Sequence, residues 1–125
     1  MHRLLFLLIV AVIAPVQAAS MNDVMMKLEP EERAHQACIM RGIDTINRSK
    51  KLKGVDRLKT SILSRATFDG TTVVAKGGAV RADHQWYALK FTCAVGKDQL
   101  KATSFDYEIG APIPKTRYED LGLWE

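Results

Sequence analysis

Trp86-Tyr87-Ala88-Leu89-Lys90-Phe91-Thr92-Cys93-Ala94-Val95 is the stretch that decides the architecture. Tyr87, Leu89, Phe91, Cys93 and Val95 recur every second residue. Successive side chains of a strand point to opposite faces, so these five predict one apolar face. A partner for that face lies upstream. His35, Cys38, Ile39, Gly42, Ile43 and Ile46 fall at helical spacing and form a single stripe. Cys38 sits on the stripe and Cys93 on the strand face, so two independent periodicities point both thiols into one layer.

Working outward, Leu28-Glu29-Pro30-Glu31-Glu32 reads as a helix start, with Pro at the first helical position and acids where the macrodipole favours them. Gly42 costs helix stability but lets another element approach closely. Residues 20–28 fit a short preceding helix. After Gly54 the period changes to two. Arg57 to Ala66 alternates, and Asp69-Gly70 is a hairpin signal before Thr71 to Ala75. Gly77-Gly78 reads as a bulge or bend. Gly96-Lys97-Asp98 turns the chain into a strand from Gln99 to Ile109, with Thr103, Phe105, Tyr107 and Ile109 on one face. Pro112 and Pro114 end the sheet, a short helix runs from Pro114 to Leu121, and Leu123 and Trp124 fold back as a hydrophobic clip. The fold class is α+β: an N-terminal helix packed on an antiparallel sheet of about four strands, with a short C-terminal helix.

The first residues are of another kind. Met1-His2-Arg3 is a basic start, Leu4 to Ile13 an apolar run, and Ala14-Pro15-Val16-Gln17-Ala18 a small-residue close. This pattern predicts a signal peptide over residues 1–18, cleaved before Ala19, and a periplasmic mature protein. The apolar run is shorter than the roughly 20 residues that cross a bilayer. No later run is long enough to span one, so residues 19–125 are read as a single domain without a transmembrane segment. The two cysteines of the chain lie in no CxxC pair, and in an exported protein they most simply form one disulfide, Cys38–Cys93. Two buried free thiols are the other reading. Closing that loop contributes about 4 kcal/mol on the chain-entropy account.

The net charge is +4, and its distribution matters more than its sum. Residues 47–65 carry Arg48, Lys50, Lys51, Lys53, Arg57, Lys59 and Arg65 against Asp56 alone. Residues 104–125 carry Asp106, Glu108, Glu119, Asp120 and Glu125 against Lys115 and Arg117. The functional reading makes Lys50, Lys51, Lys53 and Arg57 a dock for an anionic envelope component or an acidic protein. The plainer reading is a solvated segment that pairs with Glu119 and Asp120. Nucleic acid is a poor partner in the periplasm.

No catalytic residue, metal site or cofactor is assigned. His35 beside Cys38 could act as a base next to a thiol, but a disulfide closes that chemistry and leaves a packed histidine. His84 follows Asp83 in a turn. Cys38, Cys93, His35 and His84 lack zinc-ligand spacing. Asp106 and Glu108 share the outward face of a strand, as a hydrolase pair could, although solvation explains them. Ser61, Ser64 and Ser104 lie in no GxSxG elbow. Trp86 falls on the polar face of its strand and is the one aromatic free for recognition, unless the C-terminal clip covers it. The leading expectation is a non-enzymatic periplasmic protein that binds or modulates a partner. The alternative is a small periplasmic hydrolase using acids or His on the sheet face.

Leu28-Glu29-Pro30-Glu31-Glu32-Arg33 leading to Cys38, Gly78-Ala79-Val80-Arg81, and Trp86 to Cys93 form one set of stretches. Phe105-Asp106-Tyr107-Glu108-Ile109-Gly110 and Gly122-Leu123-Trp124 complete it. Through these the chain resembles the domain of unknown function 930 family, small exported proteins of Gram-negative bacteria. The resemblance covers nearly the whole mature chain and implies location and fold. It carries no activity over to any residue.

Overall fold

The computed structural model describes residues 20–125. The signal peptide expected over residues 1–18 and its cleavage point before Ala19 lie outside the described residues. Helices α1 (Met21–Met26) and α2 (Pro30–Ser49) come first. Strands β1 (Val55–Lys59), β2 (Thr67–Phe68), β3 (Thr72–Ala82), β4 (Gln85–Val95) and β5 (Ala102–Pro112) follow. A 3-10 turn (Lys115–Arg117) leads into α3 (Tyr118–Leu121). The α+β reading holds, with five strands in one antiparallel sheet of order β1-β3-β4-β5 and β2 also paired to β3.

Helix α2 begins as its residues dictate, with Pro30 in the first turn beside Glu31 and Glu32. It stops at Lys50, which adopts a left-handed φ of 62°. Its apolar stripe faces the sheet: Cys38 and Ile46 are fully buried with Val73, Val80, Leu89 and Cys93. Cys38 and Cys93 are bonded, so helix and sheet are joined where the two periodicities meet. Gly42 shows how tightly the sheet wraps the helix. A Cβ there would come within 2.7 Å of both Leu58 Cδ1 on β1 and Phe105 Cζ on β5. These strands are the two opposite ends of the sheet order, so both reach the same helical turn.

Arg57 to Ala66 is not one strand. The ladder runs only to Lys59, and a two-residue β2 resumes at Thr67 on the same side of β3. The cause is the irregularity in β3 between Ala75 and Gly78. There the Gly77 carbonyl accepts from both Ile62 N (2.9 Å) and Leu63 N (2.7 Å), tying down a loop instead of a ladder. The expected double-glycine bulge is therefore present, and it is what splits the neighbouring strand. The last strand starts at Ala102, not Gln99. Gln99 has a φ of 58° and closes a turn by donating to the Gly96 carbonyl at 3.0 Å.

A second, smaller core lies on the other face of the sheet. Ala79, Trp86, Ile113, Tyr118 and Leu123 pack together there. Trp86 is 0% exposed, which overturns the expectation of an aromatic free for recognition. The segment after β5 folds back over it, as the clip reading allowed. Trp86 N donates to the Tyr118 hydroxyl at 2.9 Å and Ile113 N to the Trp86 carbonyl at 2.8 Å. In its place Trp124 is half exposed. Among the described residues no helix is long and apolar enough to cross a membrane.

Candidate functional site

The basic segment begins at the C-terminal end of α2 and passes through a five-residue connection into β1. Two side chains shape that connection. Asn47 clamps its base, donating from Nδ2 to the Val55 carbonyl and accepting the Val55 N–H at Oδ1, both at 2.9 Å. Ser49 Oγ donates to the Ile46 carbonyl at 2.7 Å and accepts from Lys51 N at 3.3 Å. Leu52 packs against the main core while Lys50, Lys51, Lys53 and Gly54 stay exposed. The half-buried leucine anchors the connection on the core side and leaves the lysines on its outer side. Gly54 has a φ of 70°, which turns the chain into β1 with no side chain to strain.

Among the described residues only one base of residues 47–65, Arg48, forms an ion pair with a carboxylate. Arg48 pairs with Asp44 one helical turn back, Nε to Oδ2 at 3.0 Å. Lys59 places its ammonium 4.3 Å from the centre of the Trp124 ring and donates to the Gly122 carbonyl at 3.2 Å. Arg65 borders a cleft with Glu29, Glu31, Glu32 and His35. The remaining four are the residues singled out from the sequence. Lys50, Lys51, Lys53 and Arg57 are all exposed, and among the described residues none has a carboxylate within 4.0 Å. Lys51 lies 5.2 Å from the Tyr107 ring centre, toward β5, while Arg57 lies on β1 and donates to the Asp56 carbonyl at 2.9 Å.

Asp56, the one acid of the segment, is engaged elsewhere. Arg81 of β3 grips its carboxylate with both arms of the guanidinium, Nε to Oδ1 at 2.9 Å and Nη2 to Oδ2 at 2.6 Å. That hydrogen bonding holds the Asp56 carboxyl below the usual carboxylate range, with burial opposing it. Arg81 itself is buried, and its charge is spent on Asp56, so the four exposed bases are left uncompensated. Nothing in the sequence linked Asp56 to Arg81, because the two are 25 residues apart and meet only through the β1–β3 ladder. The acidic tail does not neutralise the segment through Glu119 or Asp120: among the described residues neither forms an ion pair, and Glu125 pairs with Lys115 at 3.1 Å.

The residues considered for catalysis are dispersed. His35 Nδ1 is 2.8 Å from Thr60 Oγ1, and its Nε2 is 3.9 Å from Glu31 Oε1, beyond hydrogen-bond range. Cys38 is in the disulfide, so no thiol stands beside His35. His84 is exposed in the β3–β4 turn, where it and Asp83 have φ of 61° and 49°. Asp106 and Glu108 are exposed on the outer face of β5, in register with Thr92 and Lys90. Ser61 Oγ accepts from Ala66 N at 2.9 Å and shapes its loop. Among the described residues no group of three or more metal-ligating side chains converges.

A family model described as Domain of Unknown Function (DUF930) matches residues 25–123, a span that holds both cores, the disulfide and the basic connection. No curated protein and no solved structure matches the chain. The chain belongs to the DUF930 family.

Proposed function

We propose that this member of the DUF930 family is an exported, non-enzymatic protein that binds an anionic component of the cell envelope. The contact surface is Lys50, Lys51, Lys53 and Arg57. One observation carries the reading: four exposed bases fall within residues 50–57, where α2 passes into β1, and the one acid of that stretch is already held by Arg81. A protein that needed these charges only for solubility would gain nothing from keeping their one neutralising carboxylate occupied. The pinned connection presents three ammonium groups with its backbone already fixed, so little ordering remains to be done on binding.

Export rests on the leader pattern of residues 1–18 and agrees with a disulfide that persists in an oxidising compartment. Two measurements test the proposal. N-terminal sequencing of protein from a periplasmic extract should begin at Ala19, and full-length protein in the cytoplasm would end the export reading. Cross-linking from the same extract should capture an anionic partner with the native chain and lose it when Lys50, Lys51 and Lys53 are changed to Glu. Equal capture by both would end the binding reading.

A further inference from the structure

Among the described residues, the outer edge of β5 is the longest unpaired strand edge. β5 stands last in the sheet order, and its register to β4 is regular from Ser104 to Ile109. Among the described residues, no backbone hydrogen bond outside the ladder reaches residues 103–111. The opposite edge differs: β1 and β2 share one side of β3 as short pieces separated by a loop. Beside the start of β5 runs a groove against α2, lined by Met40, Leu100 and Ala102 together with the charged Arg41, Asp44 and Lys101, in which Met40 is 42% exposed. An unpaired edge of this length can take an added strand.

Charge selects what that strand can be. Asp106 and Glu108 stand exposed on the outer face of β5. In an antiparallel pairing of two copies centred on Tyr107, Asp106 would lie opposite Glu108 of the other copy, and like charges directly opposite are destabilising. The acids thus guard against self-association through this edge. They favour an incoming strand that carries Lys or Arg on the same face and apolar side chains on the other. We infer that the β5 edge is a docking site for an extended, alternately basic and apolar segment of a partner polypeptide, added as a further strand beside Ser104 to Ile109. This surface is separate from the basic one proposed above and would stand if that one failed.

The probe is an acetylated, amidated ten-residue peptide alternating Val and Lys, added to the full mature chain and followed by amide hydrogen exchange. Slowed exchange at alternate residues within 104–109 is expected. The same peptide with N-methylated Val should give no protection, and its Val-Glu counterpart should not bind. Asp106→Lys with Glu108→Lys should weaken binding about tenfold, since each reversal turns an attractive cross-strand pair into a repulsive one. Glu108 stands in register with Lys90, so the reversal should cost a little stability, and a single cooperative melt near that of the native chain confirms that the variant folds. Lack of protection on β5, protection that survives N-methylation, or a β5-mediated dimer in sedimentation would each overturn the inference.

Discussion

The indole N–H of Trp86 donates to the backbone carbonyl of Trp124 at 2.7 Å, and the two rings meet edge to face with centroids 6.3 Å apart. This contact closes the second core, because it holds the end of the chain down on the outer face of β4. Trp86→Phe keeps most of the buried surface and loses the donor, and should cost about 1 kcal/mol in urea unfolding. Trp86→Ala empties the centre of that core and should cost about 3–5 kcal/mol. In the Ala variant, amides of residues 113–123 should exchange first. An Ala variant as stable as the native chain would mean that the tail lies outside the cooperative unit.

The disulfide makes a second prediction. Both half-cystines are fully buried, so reductant should find them only after opening. Changing Cys38 and Cys93 together to Ala should lower stability by about 4 kcal/mol through the freed unfolded chain. Thiol titration of the folded, unreduced protein should find none, and two titratable thiols would refute the bond.

Gly42 and Gly77 test two kinds of crowding. Gly42→Ala gains about 1 kcal/mol of helix propensity, but its methyl meets the ends of Leu58 and Phe105. Crowding of this kind costs about 1–3 kcal/mol, so the net effect should be a small loss. At Gly77 the new methyl would strike the backbone nitrogen of Ser64 and the Leu63 carbonyl carbon. Backbone cannot swing aside as a side-chain tip does. Gly77→Ala should therefore be the more damaging of the two in thermal melts, and the reverse order would show that the 60–66 loop yields freely.

What was legible in the sequence and what was not follow from the range of the contacts. α2 and β4 were readable because each buries one face and repeats its own period, and agreement between Cys38 and Cys93 fixed their relation. Arg57 to Ala66 misled because its alternation continues through a loop that a bulge on another strand imposes. Trp86 sits on the polar face by period, and only a tail some 30 residues on covers it. The four candidate bases were legible as a charge run and are exposed as expected. The Arg81 grip on Asp56 and the placement of Lys59 on Trp124 were not, since each joins residues that only the folded sheet brings together.

Asp56 predicts an acid response. Its carboxyl titrates below its ordinary value because Arg81 hydrogen-bonds the charged form. The stabilisation is therefore fully present above the ordinary carboxylate range and fades as pH falls through the lowered folded value. Asp69 behaves alike, since Thr71 N and Thr72 N donate to it at 2.9 and 2.8 Å. Asp56→Asn should thus be less stable than the native chain at pH 7, and the gap should narrow below about pH 4. A gap that stays constant down to pH 2 would show that the pair contributes nothing through its charge.

The basic surface makes the last prediction, and Lys59 supplies its control. Among the described residues Lys50, Lys51 and Lys53 are exposed with no carboxylate within 4.0 Å, so reversing all three to Glu should leave the melting temperature almost unchanged, as exposed charges contribute little to stability. Binding to the anionic partner should nonetheless be abolished in that variant. For the native chain it should weaken steeply between about 0.1 M salt, where charges are felt across roughly 10 Å, and 1 M, where they reach only about 3 Å. Lys59→Ala should do the opposite. It removes the contact with Trp124 and the Gly122 carbonyl, so exchange in the C-terminal segment should quicken while partner affinity stays. If the basic run served only to brace the acidic tail, the triple reversal and Lys59→Ala would both loosen α3, and affinity would not distinguish them. An unchanged affinity in the triple variant would remove the dock and leave Lys50, Lys51 and Lys53 as ordinary solvated surface.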